Sequence, residues 1–211
     1  MARLIWGNVG ERLYETGLDR GVLYSDGVNG VPWNGLIAVT ELSDNDSVKS
    51  YYLDGVNYLS VVSNDDFKAT IEAYSSPPQF SAAEGLAQIN NGLIVANQPR
   101  KPFGMTYRSK IGNDVLGDVF GYKLHIVYDA VATGGRRNYT TLNDGVETSR
   151  FKIDISGRPQ QIAGHRPSAH FVVDTRFTPE AKLLDIENLL YGSNTNNPTM
   201  PTATQLLAMF A

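Results

Sequence analysis

Phe67-Lys68-Ala69-Thr70-Ile71-Glu72-Ala73-Tyr74 decides how this chain folds. Phe67, Ala69, Ile71 and Ala73 alternate with Lys68, Thr70, Glu72 and Tyr74. Successive side chains of an extended chain point to opposite faces, so the run predicts a strand with one face in a core and the other in water. Residues 150–156 repeat the pattern, with Phe151, Ile153 and Ile155 inward and Arg150, Lys152 and Asp154 outward. Residues 122–128 divide the same way, setting Tyr122, Leu124, Ile126 and Tyr128 against Lys123, His125 and Val127. Further strands are expected at 21–24, 35–42, 50–53, 58–63, 102–110 and 169–174. Six Asp-Gly or Asn-Gly pairs, at 26–27, 29–30, 34–35, 54–55, 91–92 and 144–145, tolerate positive φ and favour tight turns. Many short strands with frequent turns predict a mainly β sandwich or barrel.

One helix is expected to flank it over 179–192. Thr178 is placed to cap its start, Pro179 to open it and Gly192 to stop it, with Leu183, Ile186 and Leu190 on the docking face. A polar linker follows Gly192, and the chain closes on a second helical stretch in which Thr202 and Gln205 form a capping box ahead of Leu206, Leu207, Met209 and Phe210. The expected organisation is a β domain over 1–192 and a linker with a helical tail over 193–211.

The chain has 211 residues, 42% of them hydrophobic, enough for a core that needs no staples. The absence of cysteine excludes disulfides, thiolate zinc sites, iron–sulfur clusters and a cysteine nucleophile. The net charge of −4 lacks the basic excess that drives binding to a phosphate backbone. No secretory signal or membrane span is read in the sequence. The serine-hydrolase elbow, the P-loop and the dinucleotide fingerprint are missing. Asp44 and Asp46 begin like a calcium loop, but Val48 stands where an oxygen ligand belongs. His165, His170 and Asp174 make a poor metal cluster, because His165 lies in a loop before the strand that carries the other two. Most of Arg100, Lys101, Arg108, Lys110, Arg136 and Arg137 are read as solvent-facing strand positions rather than a nucleic-acid patch. The expectation is a non-enzymatic scaffold or assembly protein with no catalytic, metal or cofactor site.

Several runs together resemble one family. They are Tyr14-Glu15-Thr16-Gly17, Asp19-Arg20-Gly21-Val22-Leu23-Tyr24, Gly30-Val31-Pro32-Trp33-Asn34-Gly35-Leu36 and Tyr52-Leu53-Asp54-Gly55-Val56. Ser75-Ser76-Pro77-Pro78-Gln79-Phe80, Phe103-Gly104-Met105-Thr106-Tyr107-Arg108, Ile111-Gly112-Asn113-Asp114, Gly121-Tyr122-Lys123-Leu124-His125 and His170-Phe171-Val172-Val173-Asp174 continue the series in order. The chain resembles the major tail proteins of long-tailed, non-contractile phages, particularly those of actinobacterial hosts.

The resemblance implies a two-sheet β-sandwich flanked by a helix, closing into hexameric rings that stack as a tail tube through which genomic DNA leaves. It implies self-association, a tape-measure protein inside the tube during assembly, tail-tip and terminator proteins at its ends, passing double-stranded DNA, no membrane, assembly in the host cytoplasm and a place in the virion tail. A tail terminator, or a ring component of a secretion system with a similar fold, is the alternative. Family position makes 42–49 the inter-ring stacking loop, with Glu41, Asp44, Asp46 and Lys49 as its contacts. Leu206, Leu207, Met209 and Phe210 are the second assembly candidates, and Lys68, Thr70, Glu72, Lys152 and Asp154 the candidates for the lumen wall.

Overall fold

A computed structural model describes residues 3–26, 29–42, 49–61, 66–139, 141 and 148–210. In chain order the strands are β1 (Leu13–Tyr24), β2 (Gly30–Pro32), β3 (Leu36–Leu42), β4 (Lys49–Leu53), β5 (Val56–Val61), β6 (Lys68–Ala73), β7 (Ala87–Asn90), β8 (Leu93–Val95), β9 (Phe103–Asn113), β10 (Gly117–Arg137), β11 (Phe151–Gly157) and β12 (His170–Asp174). A 3₁₀ turn, Pro78–Ala82, follows β6, and the helices α1 (Glu180–Tyr191) and α2 (Ala203–Phe210) end the chain.

The main sheet runs β2-β1-β9-β10-β11-β6-β3, with β12 also paired to β10. All of its pairings are antiparallel. It forms two layers because β10 serves both. The first part of β10 pairs with β9 and β12, and the part beyond Ala130 pairs with β11. The change of partner falls at Asp129, whose φ of +45° breaks the regular extended chain. Asp129 accepts a hydrogen bond from Gln160 Nε2 at 2.8 Å, which holds the bend.

Alternation places the core as the sequence predicts. Ala69, Ile71 and Ala73 of β6 and Phe151, Ile153 and Ile155 of β11 face Leu23, Phe103, Met105, Tyr107 and Val127 across the space between the layers. The 3₁₀ turn drives Phe80 into this core, 4.7 Å from the Trp33 ring and 5.1 Å from the Phe103 ring. A second apolar layer lies outside β1, β10 and β12, where Val22, Tyr24, Leu124, Ile126, Tyr128 and Val173 receive Ile186 and Leu190 of α1 and Leu206 of α2. Tyr24 donates its hydroxyl hydrogen to the Leu190 carbonyl at 2.7 Å, joining sheet to helix.

An ion-pair cluster reinforces that joint. Arg108 on β9 donates from Nε and Nη2 to the two carboxylate oxygens of Asp19 at 2.8 and 2.9 Å and reaches Glu187 of α1 at 3.4 Å. Its guanidinium lies 4.3 Å from the centre of the Tyr122 ring. Tyr122 donates to Glu187 at 2.7 Å, and burial pushes its hydroxyl up to about 12. The hydrogen bond from Arg108 holds the Asp19 carboxyl below its ordinary value.

Three sequence expectations need correction. Arg108 is not a solvent-facing base: its side chain is 12% exposed and committed to two acids. Thr178 does not cap α1, since Pro179 holds the N-cap position and the Thr178 hydroxyl donates instead to the Asp174 carbonyl at 2.8 Å. The strand expected at 21–24 is the end of a twelve-residue strand that begins at Leu13. Gly192 does close α1, at φ +83°. The capping box is present in both directions, Gln205 N–H donating to Thr202 Oγ1 at 3.2 Å and Thr202 N–H to Gln205 Oε1 at 2.9 Å.

Candidate functional site

Between β3 and β6 the chain leaves the main sheet and forms β4 and β5, which pair only with each other among the described strands. Asp54 and Gly55 turn the hairpin with φ of +50° and +79°, the pair of positive angles that a two-residue type I′ turn requires. Every residue from 51 to 60 is exposed, including Tyr51, Tyr52, Leu53, Val56, Tyr58 and Leu59. A two-stranded ribbon is marginal in water by itself, and apolar side chains on it lack the burial that would stabilise it. The smaller hairpin β7–β8 likewise exposes Ile89, Leu93 and Ile94, and the β9–β10 turn exposes Val115, Leu116 and Val119.

The residues expected in the stacking loop fall as follows. Asp44 and Asp46 lie outside the described residues, and Lys49 opens β4. Glu41, near the end of β3, keeps its side chain 44% exposed but lays its carboxylate over Tyr107 and His125. Tyr107 donates to its Oε1 at 2.7 Å. Of the C-terminal residues, Leu206 is 2% exposed and spent inside its own subunit, whereas Leu207 and Phe210 are 37% and 42% exposed. Met209 is partly buried against the same layer.

The five lumen candidates come together on one face of β6 and β11. Register sets Lys152 opposite Glu72, Asp154 opposite Thr70 and Ser156 opposite Lys68. Lys152 Nζ lies 3.2 Å and Arg150 Nη1 3.6 Å from Glu72, and Thr70 donates to Asp154 Oδ1 at 2.7 Å. The hydrogen bond from Lys152 is the main reason the Glu72 carboxyl sits below its ordinary value. β3 continues this face with Ala38 and Thr40, and β10 with Gly134 and Arg136. The result is a wall of small and polar side chains in which Lys68, Arg136, Arg150 and Lys152 outnumber Glu72 and Asp154, and Glu72 is shared by two of the cations.

One constellation escaped the sequence reading. Toward one end of the space between the layers the core turns polar, and Glu41 of β3, His125 of β10 and His170 of β12 bring donor atoms within 4.8 Å of one another. His125 Nδ1 is 3.3 Å from Glu41 Oε1 and 3.1 Å from His170 Nε2, and His125 Nε2 is 2.9 Å from Ser109 Oγ. The His125 ring stacks on Tyr107 at 4.6 Å, and the His170 ring packs against Phe67 at 4.6 Å. The contact from His125, with Tyr107 beside it, holds the Glu41 carboxyl at about 2, while burial brings the His170 ring down to about 4. The cluster borders a groove of about 680 Å³ that opens between β1 and β3 past Glu15 and Lys123. His165, His170 and Asp174, read from the sequence as a poor metal cluster, stay apart: His165 is exposed in its loop, and Asp174 pairs with Arg176.

No known protein family and no curated protein matches the chain in sequence. Among solved structures it is similar to the tube-terminating cap of the anti-feeding prophage, at 9% identity over 83% of this chain and 97% of that one, with a TM-score of 0.39. It is also similar to a chain of the sheath–tube complex of the PVC extracellular contractile injection system in its extended state, at 14% identity over 73% and 89% of the two chains and a TM-score of 0.36. The sheath/tube terminator of the same system gives 11% identity over 82% and 99%, with a TM-score of 0.35. Scores this low describe a loose likeness of outline.

Proposed function

We propose that the chain is a non-enzymatic structural subunit of a phage-type tail tube, closing into hexameric rings that stack around a channel for double-stranded DNA. The observation that carries this reading is the β4–β5 ribbon. A thirteen-residue hairpin, inserted after the edge strand β3, presents six large apolar side chains to water, and a second copy of the chain is the surface that would bury them. Edge pairing points the same way. Among the described strands β3 pairs only with β6, so its outer margin has backbone groups free for a neighbour. Ring closure would satisfy such margins and remove the hazard of uncontrolled strand addition.

The wall formed by Lys68, Thr70, Glu72, Lys152 and Asp154 suits the lumen. Lys152 and Arg150 share the Glu72 carboxylate, which lowers without cancelling the positive charge they turn toward a passing phosphate backbone. Six copies at −4 each give a ring of −24, which opposes tight binding of a polyanion. A ring that caps a tube, rather than forming its length, is the alternative in keeping with the cap and terminator among the similar structures.

The test is a triple substitution, Tyr51→Ser, Tyr58→Ser and Leu59→Ser, examined by electron microscopy and calorimetry. These side chains touch water in the single chain, so the expected Tm change is within about 2 °C, while tubes of the wild type disappear. Wild-type tubes with an open lumen support the tube reading, and isolated rings support the cap. Normal polymerisation of the triple variant would overturn the role of the ribbon.

A further inference from the structure

We propose that Glu41, His125 and His170 form a binding site for a divalent transition-metal ion, zinc being the best fit, which ties the edge strand β3 to β10 and β12 across the two layers. Two imidazoles and a carboxylate are a donor set that zinc and its neighbours favour. The spacing agrees. A tetrahedral ion bonded at about 2.0–2.1 Å sets its ligand atoms about 3.3 Å apart. The His125 Nδ1 to Glu41 Oε1 and His125 Nδ1 to His170 Nε2 separations are 3.3 and 3.1 Å. All three donor atoms lie within 4.8 Å, so a small swing of the Glu41 carboxylate completes the third edge.

The surroundings are those of a built site. Each ligand stands on a different strand of a rigid sheet, and the rings of His125 and His170 are fixed by stacking on Tyr107 and Phe67. Ser109 Oγ lies 2.9 Å from His125 Nε2, placed to accept the N–H of that nitrogen in the tautomer that frees Nδ1 to bind a metal. Tyr107 donates to Glu41 Oε1 and orients the carboxylate. The groove between β1 and β3 supplies an entry path and room for water in the fourth position. In a chain with no cysteine, such a staple would lock the strand from which the β4–β5 ribbon departs.

Chelator-treated wild-type protein is titrated with zinc chloride and, separately, with cobalt chloride. Zinc held at a free concentration a hundredfold above Kd is expected to raise Tm by about 5–10 °C. Bound cobalt should show the intense visible absorption of a tetrahedral site. His170→Gln and Glu41→Gln should each weaken binding at least tenfold, whereas His165→Gln, in an exposed loop, should leave it unchanged. Because the cobalt spectrum is read on the wild-type chain, it does not depend on any variant folding. A wild type with neither a Tm rise nor a tetrahedral spectrum would overturn the site, and so would binding that survives both cluster variants.

Discussion

Phe80→Ala is expected to destabilise the fold by about 3–5 kcal/mol, the largest effect of any single substitution considered for this chain. The Phe80 ring is fully buried, delivered by the 3₁₀ turn to the centre of the space between the layers. It touches Trp33 near the start of β3 and Phe103 at the start of β9, so it bridges both sheets. Truncation removes the transfer free energy of an aromatic ring and leaves a cavity. That cavity has little means of collapsing, because its walls are strands fixed by their ladders. Trp33 has a separate anchor, its indole N–H donating to the Ser75 carbonyl at 2.8 Å, and should keep its place. Denaturant unfolding would show the loss as a lower midpoint at constant slope. A change under about 1 kcal/mol would mean that the turn is not seated in the core in solution.

Arg108→Ala should cost about 3 kcal/mol by a different route. The substitution leaves the Asp19 and Glu187 carboxylates near one another without the guanidinium that neutralised both, and removes its packing on Tyr122. The effect carries a pH signature. Asp19 has a folded value below 3.8, so its contribution is fully present above that ordinary value and is lost as pH falls through the lower folded one. The stability gap between wild type and variant is therefore expected to narrow as pH falls below 3.8. A gap independent of pH would assign the cost to packing alone.

Much of the fold is legible because period-two patterning survives wherever a strand buries one face. β6, β11 and the first part of β10 can be read from Ile71, Ile153 and Ile126 and their neighbours without any structure. The capping box of α2 is equally local. The full length of β10 is not legible, because Asp129 interrupts its alternation and Gly134-Gly135 supplies no side chains to carry one. The small strands β7 and β8 are all but fully exposed and so have no apolar face to betray them. The β4–β5 ribbon is legible as two strands, but its detachment from the sheet is a matter of long-range pairing. The polar cluster was hidden for a similar reason: His125 and His170 are 45 residues apart, and only the register of β12 on β10 brings them to the same side. Glu41 was placed with the stacking loop by family position, and its register opposite Ala69 also brings its carboxylate, still 44% exposed, within reach of Tyr107 and His125.

β10 is one unbroken covalent strand shared by both layers, and this bears on mechanics. Sheets built from separate segments can slide past each other by breaking side-chain contacts alone. Here relative shear must bend or unzip a backbone that carries ladders with β9, β12 and β11 at once. A subunit made this way should give way under tension in a single step, at high force, with no partly opened form in between. Stretching single molecules between their ends would reveal that as one tall rupture in place of a staircase.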